Sequence, residues 1–309
     1  MSEPTDRPLA GMLWMLLTGL CFVAVTAIVK HVGAEMPPAE AAFLRYALGL
    51  VFLLPILGAL RREGFGGRRG VGLFAVRGGV HALGTILWFY AMTQIPIAEV
   101  TALNYLSPVY ITLGAALFLG EPLAARRLAA IGAALVGVLL ILRPGVREVS
   151  SGHLAMLATA IFFAISYLIA KRMTRTSSPP MVVAMLSVGV TLGLAPFAAA
   201  VWVPPSLAQI GWLFLTAAVA TVAHLAMTFA FRAAPVAVTQ PMTFLQLVWA
   251  ALLGWAVFGE ALDPWVLSGG TIIVASVCFI AWRESVAGRR RAAGISPAGR
   301  PVSPERPVP

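Results

Sequence analysis

The chain has 309 residues, of which 60% are hydrophobic and 11% charged, with a formal net charge of +10 and a mean hydropathy of +0.90. A water-soluble domain of that size and composition would aggregate, so the composition places the chain among integral membrane proteins. Apolar segments of roughly 20 residues recur along it, the length that crosses about 30 Å of hydrocarbon as an α-helix and about twice that of a barrel strand, which excludes a β-barrel.

Cutting the sequence at charges, Pro and Gly predicts ten spans, at 9–29, 39–60, 71–93, 97–119, 126–142, 152–170, 181–201, 209–231, 236–258 and 265–282. The first is too long for a signal-peptide core and is expected to remain in the mature chain. The second carries Arg45, at the level of Glu40 and of Glu99 in the fourth, and a structural or gating ion pair among them is expected, since an unpaired charge there is expensive. The third places Arg77, His81, Thr85 and Trp88 on one face. Arg77 is expected about 10 Å inside the end of its helix, either as a snorkelling anchor or as a contact for a solute carboxylate.

The fourth span begins at Pro96 and carries Thr101, Asn104 and Ser107 on one face, with Tyr105 and Tyr110 nearby. Gly132 and Gly137 in the fifth, and Gly269, Gly270 and Ala275 in the tenth, offer small surfaces for close helix contact. Tyr167 lies in the sixth span, Thr221, His224 and Thr228 in the eighth, and Gln240, Thr243, Gln246 and Trp249 in the ninth. Pro108 and Pro241 fall inside spans, where each is expected to kink its helix and free a carbonyl. Cys21 and Cys278 lie in apolar segments without a redox or metal partner at short spacing and are read as packing residues.

With the N-terminus cytoplasmic, seventeen basic residues flank the cytoplasmic ends, while only Lys30, Arg143 and Arg147 flank the other. By the positive-inside rule both termini are then cytoplasmic. This topology, rather than nucleic-acid binding, accounts for the charge, because the basic residues occupy loops and a tail instead of one face. From residue 288 the chain is rich in Arg, Pro and Gly and is expected to be a disordered tail near anionic headgroups.

Two halves repeat. At an offset of 139, Trp88 to Glu121 aligns with Met227 to Glu260 without a gap, and the identities include Pro96/Pro235, Gly120/Gly259 and Glu121/Glu260. At an offset of 141 the first and sixth spans match through Gly11/Gly152, Phe22/Phe163 and Lys30/Lys171, among others. A repeat of five spans must enter the membrane inverted, the plan of carriers whose solute site lies near the midplane between halves. The expected division is 1–145 and 146–287 as repeats of five helices each, with 288–309 as the tail.

The segments "AMTQIPIAEVTALNYLSPVYITLGAALFLGE" and "AFRAAPVAVTQPMTFLQLVWAALLGWAVFGE" resemble the drug/metabolite transporter superfamily, in its ten-helix form with two EamA-type domains. The resemblance extends from Leu9 to Trp282. It implies an all-α polytopic protein of the bacterial inner membrane, a central cavity lined by helices 1, 3, 4, 6, 8 and 9, and helices 5 and 10 at the periphery, as a monomer or with a homodimer contact. Members of the superfamily move amino acids, nucleosides, sugars and cationic compounds.

The candidate solute site is therefore Arg77, His81, Thr85 and Trp88; Thr101, Asn104, Tyr105 and Ser107; Tyr167 and His224; and Gln240, Thr243, Gln246 and Trp249. Glu99 and Arg45 are the coupling or gating candidates. Each polar group has a competing reading as an interhelical hydrogen-bonding residue, and the aromatic ones as belt or packing residues. A histidine touching solute would allow proton-linked binding. Amino acids or related compounds, exported or exchanged, are the expected cargo, with uptake of a larger S-adenosylmethionine-like cation as the alternative. No Walker A sequence is present, so no direct ATP drive is expected. An intramembrane enzyme would need a metal-binding His pair or an activated nucleophile; His81 and His224 carry no such spacing, so neither enzyme activity, metal nor cofactor is expected.

Overall fold

The computed structural model describes residues 7–33, 35–56, 58, 62–63, 67–119, 125–173, 176–234, 239 and 242–292. Among these the backbone is helical almost throughout. The elements are α1 (Pro8–Gly33), α2 (Pro38–Gly49) continued by a 3-10 stretch (Leu50–Ile56), α3 (Gly67–Gln94), α4 (Ile97–Asn104), α5 (Leu106–Leu119) and α6 (Ala125–Leu142). The second half supplies α7 (Ser151–Met173), α8 (Pro179–Ala200), α9 (Leu207–Ala233), α10 (Thr243–Phe258) and α11 (Pro264–Ala292). Eight segments are long and apolar enough to cross a membrane on their own. With α4 and α5 as the fourth span and α10 in the ninth, the ten-helix plan is complete. The tenth helix runs to Ala292, beyond the predicted start of the tail at 288, and residues 293–309 lie outside those described.

Helix ends follow local chemistry. Ser178 accepts from the Met181 N–H ahead of Pro179 and Pro180, and Ser206 and Gln209 close a capping box on α9. Gly259 ends α10 in the left-handed region at φ 65°, which lets the Glu260 N–H return to the Gly254 carbonyl at 3.0 Å. Prolines inside the described spans differ in effect, since α8 runs through Pro196 without a break. The second span tightens into the 3-10 stretch that contains Pro55, and the fourth breaks at Tyr105 because Pro108 has no N–H to give the Asn104 carbonyl. Pro235 and Pro241 lie outside the described residues.

The two halves interlock rather than sit side by side. The most extensive packing of α1 is on α9, and of α3 on α7, which are equivalent pairings under the repeat; α2 meets α8, and α6 meets α11. Close approach uses glycine at two such crossings. A Cβ on Gly78 would lie 2.7 Å from Gly189 Cα, and one on Gly137 would lie 2.6 Å from the Gly269 carbonyl oxygen. The expected small faces on the fifth and tenth helices thus meet within one chain, while Gly132 faces open space.

Candidate functional site

Polar side chains inside this bundle group at two levels. The central group starts from α3. Arg77 is 4% exposed, donates from Nη1 to the Val182 carbonyl of α8 at 2.6 Å, and leaves its buried Nε without a partner. Counting from Gly67 it lies about 15 Å along the helix rather than 10 Å. Its burial removes the reading as a snorkelling headgroup anchor. One turn on, His81 is stacked on Phe163 of α7, with centroids 4.5 Å apart, and pairs through Nδ1 with Ser166 Oγ at 3.1 Å. Tyr167 meets the same imidazole edge-on at 6.3 Å.

From α2, Arg45 lies over the Tyr46 ring at 4.2 Å, and its Nε is likewise buried without a partner. Arg45, Arg77 and His224 are all within electrostatic range of His81, and Tyr46 and Tyr167 are within range of Arg77. Among the described residues neither arginine pairs with a carboxylate. The expected ion pair of Arg45 with Glu40 and Glu99 does not form. Glu40 is fully buried and accepts from the Val203 N–H instead, while Glu99 is held at the other level.

The repeat reappears here in an unexpected pair of ring contacts. Phe22 of α1 meets His224 of α9 edge-on at 5.3 Å, as Phe163 of α7 meets His81 of α3. Each phenylalanine of the repeat identity Phe22/Phe163 therefore touches a histidine on the third helix of the other half. His224 donates from Nδ1 to its own Ala220 carbonyl at 2.6 Å, which leaves Nε2 as the acceptor. Phe22, Tyr46, Phe163 and Ser166 belong to the site although sequence reasoning passed over them. Phe22 and Phe163 carried a signal, as the one aromatic identity shared by the first and sixth spans; Tyr46 and Ser166 carried none beyond adjacency to Arg45 and Tyr167.

Other candidates divide. Tyr105 Oη donates to Gln246 Oε1 at 3.1 Å, so the fourth and ninth spans do meet through a polar pair, by way of Tyr105 rather than the Thr101, Asn104, Ser107 stripe. Asn104 Oδ1 and Ser107 Oγ are buried without a partner beside the break. Thr85 is buried and turned onto its own helix, donating to the His81 carbonyl at 2.8 Å. Trp88 lies 6.4 Å from Phe163, at the edge of the group. Trp249, like Tyr167 of the central group, is among the exposed large side chains. Gln240, and the side chain of Thr243, lie outside the described residues.

The second level is the end of the bundle away from the termini. Glu99, in the first turn of α4, receives both Arg147 Nη atoms, at 2.9 and 2.7 Å, and His153 Nε2 at 2.5 Å. The Ser150 N–H donates to His153 Nδ1, so the neutral ring carries its proton on Nε2 and donates it to Glu99. A buried carboxylate with a bidentate arginine is a strong pair whose loss strands the partner. Glu99→Gln is expected to lower stability by about 2 kcal/mol, seen as a lower melting temperature in detergent. A melting curve matching the parent would show that Arg147 and His153 hold this corner without it.

A bundle of two interlocked inverted halves, with a cationic aromatic centre and a charged closure at one end, has the parts of a carrier. The sequence matches the EamA-like transporter family twice, over residues 9–143 and 150–282. The chain belongs to that family. Similar proteins include a riboflavin transporter of Rhizobium johnstonii, 32% identical over 91% of this chain and 94% of its own. The pseudopaline exporter CntI of Pseudomonas aeruginosa is 29% identical over 86% of this chain and 94% of its own. An S-adenosylmethionine uptake transporter of Rickettsia conorii is 24% identical over 94% of this chain and 99% of its own. This EamA-like protein is accordingly a multi-pass transporter of the bacterial inner membrane and not an enzyme.

Proposed function

We propose that this EamA-like transporter exports or exchanges amino acids or related carboxylate-bearing metabolites by alternating access, with solute held between Arg45, Arg77, His81 and the rings of Tyr46, Phe163 and Tyr167. The observation that carries the reading is the pair of arginines in the bundle interior whose buried Nε atoms have no partner and which face no carboxylate among the described residues. Unpaired charge at that depth is costly, and a solute carboxylate supplies the missing counter-charge. Arg77 and Arg45 also offer the donor geometry that a carboxylate accepts best.

Uptake of an S-adenosylmethionine-like cation loses support on the same ground. Such a cation would draw on Glu99 and the aromatic residues, and Glu99 is bound to Arg147 and His153 at the end of the bundle, although the rings of Tyr46, Phe163 and Tyr167 stay at the centre. A second reading has a specific observation behind it: the stacked His81–Phe163 pair, with Tyr167 and Trp88 around it, favours a flat conjugated solute such as the riboflavin carried by the Rhizobium johnstonii relative.

Thermal stabilisation against a panel of amino acids, dicarboxylates, flavins and cationic nucleosides, followed by counterflow in proteoliposomes with and without a pH gradient, tests the choice. Counterflow of carboxylates is the expected result, and a requirement for the gradient would assign proton coupling. Stabilisation and flux confined to cationic solutes would overturn the reading.

A further inference from the structure

At the end of the bundle away from the termini, all three basic residues are committed to carboxylates of other segments: Lys30 to Glu260, Arg143 to Asp263, and Arg147 to Glu99. All three pairs cross between the halves, so charge ties the halves together at this end. In the positive-inside orientation that end is external.

We infer that Lys30 and Glu260 form the latch of the external gate, and that Glu260 holds it shut by capping the helix of the fourth span. Glu260 Oε1 lies 2.6 Å from Lys30 Nζ, a charge contact without hydrogen-bond geometry, and its Oε2 accepts the Ile97 N–H, first in α4, at 2.9 Å. Lys30 Nζ donates in addition to the Ile95 carbonyl at 3.0 Å. This one ion pair joins the end of α1, the corner between α3 and α4, and the corner between α10 and α11.

The carboxylate has a built seat. Gly259 turns the chain at φ 65°, the Glu260 N–H returns to the Gly254 carbonyl, and a Cβ on Gly254 would overlap Glu260 Oε2. The orphan N–H groups and positive dipole end of α4 favour a carboxylate there. Glu260 side chain and Lys30 side chain are only 11% and 18% exposed, so the pair is strong while dry and weak once water enters. A water-sized cavity of about 20 Å³, lined by Pro96, Ala98, Glu99, Glu260 and Asp263 among others, adjoins the pair. Water reaching that cavity releases the carboxylate and lets the α10–α11 corner swing away from α4. The pairing of the sequence motif Gly-Glu with a distant lysine thereby acquires a role in transport rather than in helix termination alone.

The latch rests on the alternating-access reading but on no particular solute, so its test reads accessibility instead of flux. In a chain carrying Cys21→Ala and Cys278→Ala, Ala98→Cys places one thiol on the wall of the cavity, to be labelled by a membrane-impermeant maleimide in sealed, right-side-out vesicles. Glu260→Ala is expected to raise the labelling rate about tenfold, and Lys30→Met, which leaves the cap on Ile97 in place, to raise it less. The sequence carries the same two residue types at the repeat-equivalent positions Lys171 and Glu121. Glu121→Gln is therefore expected to move labelling the opposite way from Glu260→Ala. Unchanged labelling in Glu260→Ala, or an equal rise in Glu121→Gln, would overturn the latch even where melting temperatures fall. Loss of every carboxylate flux in an otherwise normal labelling series would instead count against the solute assignment alone.

Discussion

Arg77→Gln is expected to reduce kcat/KM for carboxylate solutes by about 100-fold while leaving neutral solutes within a few-fold of the parent. The side chain is buried, its Nη1 is fixed on the Val182 carbonyl, and its Nε is free of any protein partner. Losing one charged contact to a desolvated carboxylate costs roughly 2–5 kcal/mol, and tenfold corresponds to about 1.4 kcal/mol, so the expected loss sits at the lower part of that range. Arg77→Lys should recover part of the activity, since it restores charge without the planar fork. Counterflow of one carboxylate and one flavin through the same preparations decides the matter. An equal loss for both solutes would make Arg77 a post holding α3 against α8 rather than a solute contact, and the carboxylate reading would fall with it.

The second large effect concerns stability. Gly269→Leu is expected to lower the melting temperature in detergent by roughly 5–10 °C, because overpacking costs about 1–3 kcal/mol or more. A Cβ on Gly269 would lie 2.5 Å from the Gly137 carbonyl oxygen, and one on Gly137 2.6 Å from the Gly269 carbonyl oxygen. Both obstacles are backbone, so relief requires α6 and α11 to separate along their whole crossing, with loss of the dispersion contacts that hold helices together in lipid. Gly132→Leu, on the same helix with no atom within 4 Å of its would-be Cβ, is the control and should melt like the parent. If the two variants melt alike, the crossing is loose enough to absorb a side chain and the glycines are there for another reason.

The positions of the spans were legible because hydrocarbon thickness imposes a length and burial in lipid imposes a composition, and both are local properties of the chain. The fourth span's break was legible for the same kind of reason: Pro108 lacks an N–H wherever it sits. The pairing of Gly137 with Gly269 could be anticipated only as two small faces. That they face each other, and that Gly78 meets Gly189, depends on which helices cross.

The candidate site shows the division more sharply. Arg77, His81 and Tyr167 stood out as polar or amphipathic groups at a depth where such groups are expensive, and the fold gathers all three. The choice of partners was not local. Glu99 and Arg45 lie at similar depth in the sequence, yet Glu99 turns to Arg147 and His153 while Arg45 turns to Tyr46. Thr85 shares the face of His81 but spends its hydroxyl on its own helix. Hydrogen-bond direction within a span is a rotamer choice, set by whatever side chain the neighbouring helix brings within about 3 Å.

By itself the sequence determined that this chain spans a membrane ten times, that its two halves are related and must be inverted, and that the basic residues crowd one side. Those conclusions follow from hydrophobic length, a fixed repeat offset and charge counting, none of which needs a contact map. Only the tertiary structure decided that the halves interlock, that Phe22 and Phe163 each meet a histidine of the opposite half, and that Lys30 reaches Glu260 across 230 positions of chain. Such partners are selected by helix crossings, and in lipid those crossings are chosen by small residues and polar contacts between distant segments rather than by any pattern within one of them.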